Sequence, residues 1–149
     1  MNKILIIFCL LFISNSFSQP DNEIKFLEYA NIEFEVPKNC STNSKYELLD
    51  CDGISTQWIY FDEAMLKSAS EKLIKQFSKN SISKEPIEVI SFGSTLRGYK
   101  FTYKNPENQH RIIVSGTVNK QPLILNVASK DELIGFSNLN SFLKKIIKF

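Results

Sequence analysis

The feature that most constrains the fold is a series of strand-like segments joined by short turns. Four segments rich in β-branched and aromatic residues follow one another in the second half of the chain: 87–92, 96–103, 111–118 and 123–128. Turn residues separate them at 93–94 and 119–122, and a polar loop covers 104–110. Parallel strands need long crossover connections, whereas antiparallel neighbours are joined by short turns. The pattern therefore predicts an antiparallel sheet.

Three further strands are expected earlier, at 24–29, 32–36 and 54–61. In the second of these, apolar and acidic residues alternate up to Pro37, which is typical of a half-buried strand. Strands combined with helical segments predict an α+β domain, an antiparallel sheet carrying helices.

Two segments have a helical pattern. Asp62 is placed to cap a helix that runs through Lys79, with Met65, Ala69, Leu73 and Phe77 forming one apolar stripe. Ser129 and Glu132 form a capping-box pattern that predicts a C-terminal helical region. Its apolar stripe comprises Leu139, Phe142, Leu143, Ile146 and Phe149.

Residues 1–18 have the order of a secretory signal peptide. Lys3 precedes an apolar run over 4–13, and the small-residue ending 16–18 follows. The run is too short for a membrane span, which needs about 20 residues; a buried N-terminal helix is the alternative. Cleavage near Ser18 would leave 19–149 as a single periplasmic or secreted domain without a transmembrane segment.

Cys40 and Cys51 are the two cysteines that remain outside the first twenty residues. In an oxidising compartment such a pair forms a disulfide more often than a metal site. Zinc needs four ligands, and His110 is the only histidine of the chain. The spacing therefore predicts a Cys40–Cys51 disulfide, with two buried free thiols as the alternative.

Charge is unevenly distributed along the chain. Residues 20–66 carry ten acids and three lysines, whereas 67–149 carry fourteen basic residues and six acids. One interpretation of this asymmetry is a binding surface. The other, which is favoured, is that the two halves lie side by side and their charges offset one another. The formal net charge of +2 gives no reason to expect a nucleic-acid partner.

No motif predicts a catalytic, cofactor or metal site. His110 is expected in the polar loop, which is a poor position for a catalytic triad. Glu33 and Glu35 are spaced like a carboxylate pair, but a charged strand edge explains them better. The sequence DCDG at 50–53 lacks the later ligands of a calcium loop and predicts a turn.

The richest aromatic group is a candidate partner-binding surface. It comprises Trp58, Tyr60, Tyr99, Phe101 and Tyr103. Aromatic residues at strand spacing more often form core and cross-strand pairs. An exposed face of this composition would suit a peptide or an apolar ligand.

Five segments in order resemble one known family. They are IEFEVPKN, MLKSASEKLIKQF, SFGSTLRGYKFTY, RIIVSGTVNKQPLILNVAS and FLKKIIKF, spanning about residues 24–149. The order resembles that of the PsbP-like or DcrB-like domains. The resemblance implies an antiparallel β-sheet of about six strands sandwiched by two main helices, an α/β/α arrangement. It also implies a non-enzymatic role, and it carries no functional residue over to this chain.

The sequence thus favours an exported, non-enzymatic binding or accessory protein of the bacterial envelope, without a cofactor. Its expected partner is a protein, in an accessory, immunity-type or chaperone-like role. A hydrolase of unrecognised type is the alternative.

Overall fold

The computed structural model describes residues 23–104 and 109–149, and the predicted signal peptide at 1–18 lies outside them. The strands are β1 (Phe26–Tyr29), β2 (Ile32–Glu35), β3 (Glu47–Cys51), β4 (Ile54–Tyr60), β5 (Ser83–Ser91), β6 (Ser94–Tyr103), β7 (Gln109–Val118) and β8 (Gln121–Ser129). The helices are α1 (Glu63–Ser78), α2 (Leu143–Ile146) and a 3₁₀ turn at Phe136–Asn138. The fold is therefore mostly β.

The strands form two antiparallel sheets. Six of them make the main sheet in the order β3-β4-β8-β7-β6-β5, and β1 pairs with β2 in a separate hairpin. Two-residue turns, Phe92-Gly93 and Asn119-Lys120, join β5 to β6 and β7 to β8. All four of these residues have positive φ, which matches the twist of a tight hairpin. The antiparallel order predicted for the second half of the chain is confirmed.

The predicted α+β sandwich, with about six strands between two main helices, is wrong. Helix α1 has 16 residues and covers one face of the main sheet, whereas α2 has only four. The β1–β2 hairpin and the C-terminal segment 139–147, which includes α2, cover the other face. We call this second face the hairpin face, and the face that α1 covers the helix face.

The C-terminal segment is not a long helix because its predicted capping box does not form. The Ser129 side chain belongs to β8, and its Oγ accepts the N–H of Asp131 at 3.2 Å. The Glu132 carboxylate binds Lys100 Nζ at 2.7 Å instead of reaching back to the backbone. Ser129 is thus engaged by a local contact and Glu132 by a tertiary one, so the two side chains do not cap a helix.

The hairpin face contains the largest buried side chains. The indole ring of Trp58 stacks on Phe142 with ring centroids 5.4 Å apart and meets Tyr29 edge-on at 5.5 Å. Its Nε1 donates a hydrogen bond of 2.7 Å to the carbonyl of Glu28 in β1. These contacts fix the hairpin and the C-terminal segment on the main sheet.

On the helix face, α1 packs over β6, β7 and β8. The contacting side chains of α1 are Leu66, Ala69, Leu73, Ile74 and Phe77. Met65 is 54% exposed, so its predicted place in the apolar stripe is wrong. Asp62 has an extended backbone at the helix start, but its side chain makes no capping hydrogen bond.

The predicted disulfide between Cys40 and Cys51 is confirmed, with a Cα–Cα distance of 4.6 Å. It joins the connection between β2 and β3 to the end of β3, where Cys51 is fully buried. Within the described part of the chain, none of the helices combines the length and the apolar character that crossing a membrane requires.

Candidate functional site

The five aromatic residues of the predicted partner-binding group lie on opposite faces of the main sheet. Trp58 and Tyr60 of β4 belong to the core of the hairpin face, and Tyr99, Phe101 and Tyr103 of β6 belong to that of the helix face. Trp58 and Phe101 are buried, and the three tyrosines are partly buried. The group therefore does not form one continuous exposed surface.

The residues considered for catalysis are separated. His110 is the second residue of β7 rather than a loop residue, and its Nδ1 lies 3.3 Å from Thr102 Oγ1. Residues 105–108 of the predicted loop lie outside the described residues. Glu33 and Glu35 are exposed on β2, in the other sheet. Across 23–104 and 109–149, no three His, Cys, Asp or Glu side chains gather in a metal-binding arrangement.

Both edges of the main sheet are partly covered by short bridges. Ser41 pairs with Leu49 on β3, and Lys148 pairs with Ile90 on β5. The N–H of Ile90 donates to the carbonyl of Lys148 at 2.7 Å, and the N–H of Lys148 donates to the carbonyl of Ile90 at 2.8 Å. The backbone groups of alternate β5 residues, such as Pro86, therefore point to the same open edge. Proline has no N–H to offer an added strand. The edges are therefore poor sites for strand addition, and the faces are better candidates.

The helix face has an open cleft where α1 ends. The cleft measures about 840 Å³ and lies between the last turn of α1, the β3–β4 turn and the paired ends of β7 and β8. Gln76 and Asn80 line one wall, and Arg111 of β7 projects from the sheet. Asp50 is the acidic residue among the described residues of its lining.

Strand register explains why the sheet leaves room at this point. A row of paired residues crosses the sheet in the order Phe101, Arg111, Ala128 and Ser55. Ala128 and Ser55 have small side chains, and α1 ends at Ser78 before it covers them. The sheet surface beside Arg111 is consequently recessed and not covered by α1, and the cleft opens there.

The guanidinium of Arg111 is fixed by two neighbours. Its central carbon lies 4.4 Å from the centroid of the Phe77 ring, a cation–π arrangement. Its Nη1 donates a hydrogen bond of 2.7 Å to Asn126 Oδ1. Partial burial lowers the pKa of Arg111 from its usual value. Arginine stays protonated at neutral pH, so the cleft holds a positioned positive charge.

No carboxylate among the described residues forms an ion pair with Arg111. Asp50 precedes the β3–β4 turn, and Arg111 lies on β7, three strands away in the sheet order. At strand spacings of about 4.8 Å, this separation is roughly 14 Å. Among the described residues, therefore, no carboxylate neutralises the charge on Arg111.

Tyr103 stabilises the wall of the cleft beside Arg111. Its hydroxyl donates a hydrogen bond of 2.8 Å to the carbonyl of Phe77. Burial raises the pKa of Tyr103, and the nearby charge of Arg111 opposes this rise. The phenol is thus neutral at physiological pH and acts as a hydrogen-bond donor that ties β6 to α1.

Positive charge extends from the cleft along α1 and onto the start of β5. Between Glu71 and Glu85 the chain has four lysines and no acid, and all four are exposed: Lys72, Lys75, Lys79 and Lys84. Lys104 and Lys130 also line the cleft. We call this set, together with Arg111, the basic surface.

Four ion pairs of the described residues join partners from the same half of the sequence. Glu28 pairs with Lys45 in the acidic half. In the basic half, Arg97 pairs with Glu88, and Lys100 binds both Glu85 and Glu132. These four pairs leave the excess of each half in place, and none of them includes Arg111 or the lysines at 72, 75, 79 and 84.

Arg111 was not among the site residues predicted from the sequence. The signal was present, because alternate β7 positions place Arg111 on the same face as the buried Ile113. A charged residue at an inward-facing strand position carries a desolvation cost and is uncommon without a role.

The comparisons with known proteins add no relationship: no protein family model matches the chain, and no curated protein matches it significantly. The resemblance to PsbP-like or DcrB-like domains rests on the sequence pattern alone and stays a prediction.

Proposed function

We propose that this chain is an exported, non-enzymatic binding protein of the bacterial envelope whose partner is a protein. The observation that carries the proposal is the basic surface, which surrounds an open cleft containing an arginine without a carboxylate partner among the described residues. The Cys40–Cys51 disulfide supports an oxidising compartment, because such bonds are rare in reducing cytosol.

The helix face has the composition that a protein interface requires. Ile59 of β4 is 40% exposed and Met65 of α1 is 54% exposed, so apolar side chains accompany the basic surface. Interfaces combine apolar contacts with a polar rim, and charge complementarity accelerates association with the correct partner. An acidic protein partner fits this surface. Accessory, immunity-type and chaperone-like roles all consist of binding a partner protein.

A capture experiment tests this proposal. The mature chain, residues 19–149, is immobilised as bait in an envelope extract of the source organism, and bound proteins are eluted with increasing salt. We expect a specific acidic partner that elutes within the physiological salt range, because exposed charges are screened over about 8 Å at 0.15 M.

Two sets of variants with equal changes in charge locate the interface. Lys72→Glu, Lys75→Glu and Lys79→Glu together reverse charge on α1, and we expect them to abolish capture. The control reverses three exposed lysines away from the helix face, Lys38, Lys120 and Lys145. Equal loss in both sets would reject the helix face as the interface. Turnover of an ester, glycoside or peptide that disappears in His110→Ala or Glu35→Gln would reject the non-enzymatic role.

A further inference from the structure

We propose that Arg111 is the specificity residue of the basic surface and that its cleft binds a carboxylate group of the partner protein. The inference rests on the proposed function and adds a chemical class of ligand to it. The carboxylate belongs either to an Asp or Glu side chain or to the partner's C-terminus, since both present the same planar anion.

The donors of Arg111 support this assignment. A guanidinium has five N–H groups in a fixed planar fork. Among the described residues, Asn126 accepts one of them, through Nη1 at 2.7 Å. The remaining donors are free to bind both oxygens of a carboxylate, which is the geometry that arginine favours.

The cleft also prepares Arg111 for binding. The Phe77 ring and Asn126 hold the guanidinium plane, so a ligand does not have to order a mobile side chain. Partial burial removes water from the guanidinium and strengthens its attraction for an anion. A surface lysine such as Lys75 has neither advantage, because it is exposed and lysine carries a strongly hydrated charge on a flexible stem.

The surrounding charges favour an anion over a neutral ligand. Lys104 lines the same cleft and increases its positive potential. The ligand is expected to enter between Gln76 of α1 and the recessed sheet surface at Ala128. A concave site with one positioned guanidinium suits a small planar group better than the extended backbone of a nucleic acid, which is bound through many phosphates.

Small carboxylates test the site directly. The ¹⁵N-labelled mature protein is titrated with N-acetylglutamate α-amide, which has only a side-chain carboxylate, and with N-acetylglutamine, which has only an α-carboxylate. N-acetylglutamine amide is the neutral control, and inorganic phosphate tests the other common anion. We expect at least one carboxylate to shift the Arg111, Asn126 and Phe77 resonances saturably, and the neutral compound to shift none of them. The carboxylate that binds more tightly identifies its source in the partner.

Variants separate recognition by Arg111 from general charge attraction. We expect Arg111→Gln to weaken binding at least about tenfold and Arg111→Lys to weaken it about fivefold, because lysine lacks the planar fork. Lys120→Gln removes the same charge at the far end of β7, about 30 Å away by strand rise, and is expected to change affinity less than twofold. The inference is overturned if Arg111→Gln and Lys120→Gln weaken carboxylate binding equally, or if Arg111→Lys does not weaken it. It is also overturned if phosphate binds more tightly than either carboxylate.

The two proposals fail in different ways. If the mature protein and its Arg111→Gln variant capture the same partner equally well, the carboxylate inference is rejected and the binding function stands. If neither captures a protein, the proposed function is rejected, even where small carboxylates bind at Arg111.

Discussion

The hairpin face and the helix face of the main sheet bury their side chains to different degrees. On the hairpin face, Trp58, Tyr29 and Phe142 are each at most 1% exposed, under a hairpin and a C-terminal segment that fit around them. On the helix face, a single helix covers the middle strands and ends beside Arg111, which remains partly exposed in an open cleft.

This difference assigns separate tasks to the two faces. A closed face with interlocking aromatic rings contributes stability, since each buried aromatic removes a large apolar area from water. The helix face also has a buried core at Phe101, Ile113 and Ile124, so only its open cleft beside Arg111 should contribute little stability, and this cleft is where we propose that recognition occurs. Substitutions on the two faces should therefore affect different measurements.

The largest expected effect is on the hairpin face. Trp58→Ala should lower the free energy of unfolding by about 3–5 kcal/mol, because it leaves a cavity among Tyr29, Phe142 and the sheet. Tyr99→Ala on the helix face should cost about 1–2 kcal/mol, because Tyr99 is only partly buried. Urea denaturation compares the two variants, and equal losses would contradict the division of the faces.

The next effect is a loss of stability at high pH. Tyr29 is buried and shares a hydrogen bond of 2.9 Å with Ser91. Burial raises its pKa from 10.0 to about 12. The raised pKa stabilises the folded state below pH 10, and this contribution is lost as the pH rises through 12. Two pKa units correspond to about 2–3 kcal/mol.

Urea denaturation at pH 10 and pH 12 measures this loss. We expect the Tyr29→Phe variant to be less stable at neutral pH, because Ser91 loses its hydrogen-bond partner. Its free energy of unfolding should fall less between the two pH values, because it has no phenol to ionise at position 29. A decline of the same size in the variant would assign the pH dependence to other groups.

A smaller effect, of opposite sign, is expected at Thr56 on the hairpin face. Its hydroxyl is buried and has no hydrogen-bond partner among the described residues. Thr56→Val keeps the shape and removes this hydroxyl, so stability should rise by about 1 kcal/mol. Thr117→Val, at an exposed position of β7, is the control and should change little. A loss of stability in Thr56→Val would show that the hydroxyl is satisfied.

The smallest effect is expected at Arg111. Arg111→Met keeps an apolar stem against Phe77 and should change stability by less than about 0.5 kcal/mol, since relief of desolvation offsets the lost bond to Asn126. Thermal denaturation measures the change, and Arg97→Met, at an exposed ion pair with Glu88, is the comparison. A loss above about 2 kcal/mol would make Arg111 a structural residue.

Local chemistry made much of the fold predictable. The antiparallel order of β5 to β8 follows from short turns, and α1 follows from an apolar stripe, although Leu66 and Ile74 replace Met65 in its buried face. The disulfide followed from cysteine spacing and the expected compartment. Each of these features depends on neighbours in sequence or on one pair of side chains.

Tertiary structure decided the features that depend on distant partners. Glu132 binds Lys100 and Ser129 stays in β8, so a segment with a helical pattern remains largely irregular. Strand alternation placed the five candidate aromatics on two faces, and register brought Arg111 beside Ala128 where α1 ends. The sequence determines which residues alternate between the two faces of a strand and which residues form turns. Long-range pairing decides which layers cover them, because competing local and tertiary contacts differ by only a few kcal/mol.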